Sequence, residues 1–300
     1  MKKGFKYLVL LSVVACTSCT EDIMIEREEG AVMIGVEASF TDEMKHHEAI
    51  LSYTADFYDK SDIRMVSGAT VYVTDGVDTI YYYEDADRAG HYFTGMSAAN
   101  RNVMYRFCAD VPDESEADGW LHLFAESLIP DNVERVDSLV VKPFNGANDT
   151  VPNVFFGDTI EWVYPYFQSL PDPSVIYMPL IMKNDTLLND TLSQRMMIPV
   201  GGYAGFYING PEMQEANKEI PVFYFRKSTL RHGDRIRVDL YSVPADYLAF
   251  YYSLNMSTGS NPMLGAPSNV ASNFMPNDRA VGWFLTASVV SSETVFIDAH

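Results

Sequence analysis

Short runs in which apolar and polar side chains alternate, each stopped by a turn-forming cluster, recur from residue 69 to residue 290. A period of two sends successive side chains to opposite faces of a strand, so these runs call for sheets with one buried face. Residues 69–74 end in Asp75-Gly76, a hairpin signal, and residues 79–83 follow at once. Residues 90–93, 103–108 and 120–126 read as further strands at the spacing of a β-sandwich. In the second half, residues 174–182, 196–209, 220–226, 234–242 and 280–290 carry the same signature. Residues 142–173, rich in Pro, Asn and Gly, read as a long connection, and 255–279 as a loop. One stretch changes period. Pro244 suits the first turn of a helix, and Tyr247, Leu248, Tyr251 and Leu254 fall on one helical face. The expected fold is all-β, made of two β-sandwich modules. Residues 35–125 form an immunoglobulin-like β-sandwich and 126–300 a second β-rich domain, with a short helix near 244–254. At 47% hydrophobic and 13% aromatic residues, the chain can fill such cores.

The N-terminus follows a different logic. Lys2, Lys3 and Lys6 precede a short apolar run over residues 7–15, the layout of a secretory signal peptide and too short to span a bilayer. Small residues then lead into cysteine, as in the lipobox of bacterial lipoproteins, where the cysteine is acylated and begins the mature chain. Cys19 is the preferred acceptor and Cys16 the alternative. Glu21 and Asp22, just after Cys19, resemble the acidic signal that sends lipoproteins to the cell surface. Residues 1–18 then form the signal peptide and 19–34 the lipid anchor and tether.

The chain holds 41 acidic and 21 basic residues, a formal charge of -20. Loss of residues 1–18 removes three lysines and no acid, which leaves -23. Nucleic acid and anionic lipid surfaces both demand a basic footprint, so no nucleic-acid partner is expected and membrane attachment falls to the acyl chains. With Cys19 acylated, Cys108 is the lone thiol of the mature chain, read as a small buried hydrophobe in a strand.

Catalytic patterns are missing from the sequence. It has no Gly-x-Ser-x-Gly, no His-Glu-x-x-His and no phosphate loop. Residues 201–205 are glycine-rich without the lysine such a loop needs. Glu114, Glu116 and Asp118 with Gly119 echo a calcium loop, but the twelfth position is Ala125, so they read as a solvated acidic turn. No enzyme, cofactor or metal is expected. Asp-Thr or Asp-Ser before an apolar residue occurs six times and resembles a bacterial O-glycosylation sequon, with Thr150, Thr159, Thr186 and Thr191 as candidate acceptors. The competing reading is that such pairs start strands after turns. Trp162, in the loop-rich middle, is the candidate ligand contact.

Several motifs, in order, resemble one family. They include Ser67-Gly68-Ala69 with Val71 and Val73, Gly90-x-Tyr92, and Gly233-Asp234-x-Ile236-x-Val238. Asn269 and Asn273 with Val281-Gly282-Trp283-Phe284 complete them. Together they resemble a Bacteroidota outer-membrane lipoprotein family, domain of unknown function 4249. The resemblance implies a surface-facing outer-membrane lipoprotein that binds for, or caps, a TonB-dependent nutrient transporter. The alternative is a structural or adhesive surface lipoprotein without a transporter partner. The resemblance brings no catalytic residues.

Overall fold

Strand β1 (Ile34–Thr41) buries Ile34, Val36, Ala38 and Phe40 and turns Gly35, Glu37 and Ser39 the other way. The computed structural model describes residues 32–54, 63–143, 154–155, 158–167, 172, 174–191, 194–199, 221–258 and 270–298. Alternation also builds β2 (Glu48–Tyr53), β3 (Thr70–Thr74), β4 (Thr79–Glu84), β5 (His91–Thr94), β6 (Met104–Pro112) and β7 (Trp120–Leu128). Next come β8 (Ser138–Pro143), β9 (Val154–Phe155), β10 (Asp158–Tyr166), β11 (Val175–Lys183), β12 (Thr186–Leu187) and β13 (Ile198–Pro199). The chain continues through β14 (Phe223–Arg226), β15 (Arg235–Pro244), helix α1 (Tyr247–Thr258), β16 (Phe274–Met275) and β17 (Ala280–Val295). The protein is mostly β, with a large sheet, a smaller sheet and, among the described residues, one α-helix.

The large sheet runs β12-β11-β15-β17-β1-β2-β5-β4-β3-β6-β7-β16, with β13 beside β11; the smaller runs β14-β10-β8, with β9 beside β10. Strand β17 joins the two halves. Residues 280–287 pair in parallel with β1, and residues 288–295 pair antiparallel with β15. The large sheet folds back on itself around the first core. Phe107 packs its ring 5.3 Å from that of Phe284 and 5.8 Å from that of Phe274, and Ser127 Oγ lies 2.8 Å from Thr286 Oγ1. Residues before 130 do not close that core alone; Phe274, Ala280 and Phe284 complete it. A second cluster centres on Val163, Tyr177, Ile181, Ile236, Val238 and Leu240, and a third packs Met178, Val243 and Tyr247 against Trp283 and Leu285.

Two glycines permit close backbone approach. At Gly282 (φ +130°) a Cβ would lie 1.9 Å from the Val36 carbonyl oxygen, so only glycine lets β17 pair with β1 there. At Gly90 (φ +74°) a Cβ would meet the Leu51 carbonyl at 2.7 Å. Buried asparagines close strand edges. Asn132 donates to the carbonyls of Leu240 and Ser288, and Asn189 bonds Ile181 N–H and the Pro179 carbonyl. Asn273 exchanges both bonds with Phe284, as a strand neighbour would.

Three sequence expectations need correction. The stretch 142–173 is not all connection: β10 lies within it, paired on both sides with β8 and β14. Those ladders outweigh the local Pro and Asn signals. Pro244 does not open the helix; it ends β15, opposite Val175, and α1 starts three residues later and runs to Thr258. The final strand extends to Val295, because β15 supplies partners for the polar residues 291–294 and for Val295. Among the described residues, no helix is long and apolar enough to cross a membrane.

Candidate functional site

The junction strand builds a cleft. On β17 the side chains alternate, with Phe284 and Thr286 facing the first core and Val281, Trp283 and Leu285 facing the other way. Beside them stand Gly35, Glu37 and Ser39 of β1, and beyond those Glu48, Ile50 and Ser52 of β2. Helix α1 covers this face. The Trp283 ring lies 5.5 Å from Phe250 and 6.0 Å from Tyr247. Tyr251 donates to the Arg195 carbonyl at 2.7 Å, and Arg195 Nη2 donates to the Asp190 carbonyl at 2.9 Å, which ties the segment after β12 to the helix.

The cavity has a volume of 730 Å³, within the range of small-molecule sites. Its walls are apolar, from Met178, Leu180, Phe250, Leu254, Trp283 and Leu285; carboxylates of Glu37, Glu48 and Asp190 and the guanidinium of Arg195 supply polar character. Trp283 is 8% exposed, and its indole N–H has no acceptor among the described residues. Burial pushes the Tyr247 hydroxyl up to about 12 and raises that of Tyr241 too, so both stay protonated at neutral pH. The arrangement suits binding of a small, largely apolar molecule that carries neutral or cationic groups.

Polar clusters elsewhere are occupied by their own partners. In the turn after β6, Arg279 bonds Glu116 and Asp113, each at 2.7 Å, and His122 lies between Asp110 (2.6 Å) and Asp118 (2.9 Å). Bonds to Asp118 and then Asp110 pull the His122 imidazole up to about 9. Of the acidic turn that echoes a calcium loop, Glu116 is thus taken by Arg279 and Asp118 by His122. No group of three or more metal-binding side chains occurs among the described residues. His47 is buried, with Nε2 3.0 Å from the Ser97 carbonyl, and burial lowers its pKa to about 4. Cys108 is half-buried on the outer face of β6 rather than in the core, and burial raises its thiol pKa, which disfavours the reactive thiolate.

Cys16, Cys19, Glu21, Asp22 and Thr150 lie outside the described residues, as do residues 201–205. Thr159 is half-buried in β10; Thr186 is exposed at the start of β12, and Thr191 is exposed just beyond that strand. The Asp-Thr and Asp-Ser pairs at Thr79, Ser138 and Thr186 stand where strands begin. Trp162 is half-buried in β10, its ring 5.3 Å from Tyr224, well away in sequence and sheet from the cleft residues.

Residues 20–293 match the profile of a domain of unknown function, DUF4249. The chain belongs to this family. No curated protein matches it. The stretches that carry the DUF4249 resemblance have structural roles. Asp234 accepts from Arg231 N–H and Asn184 Nδ2, each at 2.8 Å, and pins the β11–β12 turn to the start of β15. Residues 281–284 form the junction strand, and Trp283 among them walls the cleft. From sequence alone this DUF4249 motif reads only as a strand. Alternation alone marks Trp283 as buried; that α1 covers it follows from tertiary packing.

Proposed function

We propose that this DUF4249 protein is a cell-surface outer-membrane lipoprotein that serves a TonB-dependent nutrient transporter, with the α1 cleft as its ligand site. The observation that carries the reading is the boundary at residues 19 and 20. A basic and apolar leader ends in Cys19 with Glu21 and Asp22 behind it, and the family match begins at residue 20. From Cys19 to Ile34 the chain has fifteen steps, a reach of at most about 50 Å, so lipid would hold the folded body near the membrane surface. A net charge of -23 on the mature chain supports attachment through lipid rather than through charge. The role is binding: the cleft offers aromatic and aliphatic walls with a few polar groups among them.

Two measurements test this. Labelling with a palmitate analogue is expected to mark the full chain and to be lost in Cys19→Ala; loss only in Cys16→Ala would move the acceptor, and no label at all would refute the anchor. Capture of the tagged protein from detergent-solubilised membranes is expected to bring down a TonB-dependent barrel. Recovery without any barrel, together with binding to other cells, would favour the adhesive alternative. In the same sample, mass spectrometry of Thr186→Ala and Thr191→Ala tests glycosylation, a lost glycan mass being the expected result.

A further inference from the structure

One cross-strand row on the outer face of the large sheet remains unexplained by the cleft. Tyr81 of β4 stands opposite Tyr72 of β3, Tyr72 opposite Cys108 of β6, Cys108 opposite Phe124 of β7, and Phe124 opposite Met275 of β16. Five strands thus place a tyrosine, a tyrosine, a thiol, a phenylalanine and a thioether side by side. Tyr81 is 48%, Phe124 38% and Met275 48% exposed, with Tyr72 and Cys108 half-buried. The Tyr72 and Tyr81 rings lie 5.7 Å apart. Four inter-strand steps make the row about 19 Å long. It lies on the side of the first core opposite the cleft, since the neighbours Phe107 and Ala125 face inward toward β17.

We propose that this row is a binding platform for a neutral glycan chain. An apolar stripe one side chain wide on β3, β6 and β7, and widened on β4 by exposed Tyr83, calls for a flat and narrow ligand. The flanks carry polar side chains paired with one another. On one side Arg106 donates from Nε and Nη2 to Glu126 at 2.8 and 2.6 Å, its guanidinium 5.0 Å from the Phe124 ring centre. On the other, Asp110 and His122 pair across β6 and β7. A pyranose ring has this shape: an apolar C–H face for stacking on aromatics, with hydroxyls at its edge for paired donors and acceptors. Charge selects the class. Arg106 and Glu126 cancel and His122 is shared by Asp110 and Asp118, while the chain as a whole, at -20, repels nucleic acid, acidic polysaccharide and anionic lipid. The proposal does not depend on lipidation, the transporter or the cleft.

Calorimetric titration of the full chain in detergent with cellohexaose, maltohexaose and mannohexaose tests it. At least one is expected to bind saturably. The double variant Tyr72→Ala/Phe124→Ala should weaken that binding at least tenfold, about the weight of one or two stacked rings, while Tyr72→Phe should retain most of it. Tyr81→Ala, at the exposed end of the row, should weaken it without a change in melting temperature. Binding of none of the three, or binding untouched by both aromatic variants, would overturn the proposal. So would a concentration-dependent dimer that Tyr81→Ala disperses, since the face would then be a contact between copies of the chain.

Discussion

Gly282 sits where the last described strand pairs with the first, and a single added methyl there has nowhere to go. Its Cβ would overlap the Val36 carbonyl, and its φ of +130° is strained for any L side chain. Gly282→Ala is expected to cost more than about 3 kcal/mol, read from denaturant midpoints. Histidines make two further predictions of opposite sign. His47, neutral and buried, has its pKa lowered to about 4, below the ordinary value of 6.5. Between those values the unfolded chain takes up the proton and the folded one does not, so stability falls as pH drops through that window. The loss attributable to His47 is about 2 kcal/mol from pH 7 to pH 5 and should vanish in His47→Gln. His122, exposed between Asp118 and Asp110, is held up to about 9. Its contribution is present below pH 6.5 and fades as pH rises toward 9. NMR titration should find this imidazole still protonated at pH 7.5, and Asp118→Asn should lower its pKa.

At the level of elements, helix α1 is fixed by what lies beneath it. Tyr247 is buried and Phe250 half-buried against Trp283, while Tyr252 and Met256 face solvent. Trp283→Ala should remove that seat and cost about 3–5 kcal/mol, with loss of the near-ultraviolet signal of the packed rings. Trp283→Phe keeps an aromatic wall and deletes the unmatched indole donor, so its cost should stay below about 1.5 kcal/mol. The alternating strands β3 to β7 were legible because each follows one buried face and one open one. Strand β10 was not. Its Pro165 and flanking Asn and Gly residues read as connection, and only the ladders to β8 and β14 make it a strand. The helix was legible as an interruption of period two, but its start was misplaced because Pro244 is used to end a strand pairing with Val175.

For the whole molecule, β17 makes one unit of two halves. Its first eight residues complete the first core, and its last eight carry the sheet into the second. Residues 32–300 should therefore melt in a single calorimetric transition, and Gly282→Ala should shift all of it; two separable transitions would contradict this. The all-β class, the net acidity and the family are written in the sequence itself, and the proposal of a lipid-anchored N-terminus rests on it alone. Each of these is written locally, in side-chain period, charge count or contiguous motif. Only the tertiary structure decided that the last strand lies parallel to the first, that Trp283 and α1 enclose a cleft, and that Tyr81, Tyr72, Phe124 and Met275 share one row. The physical reason is register. Which residues of distant strands stand side by side depends on pairings as far apart as 34 and 280, and alternation says which face a residue takes but not who its neighbour is.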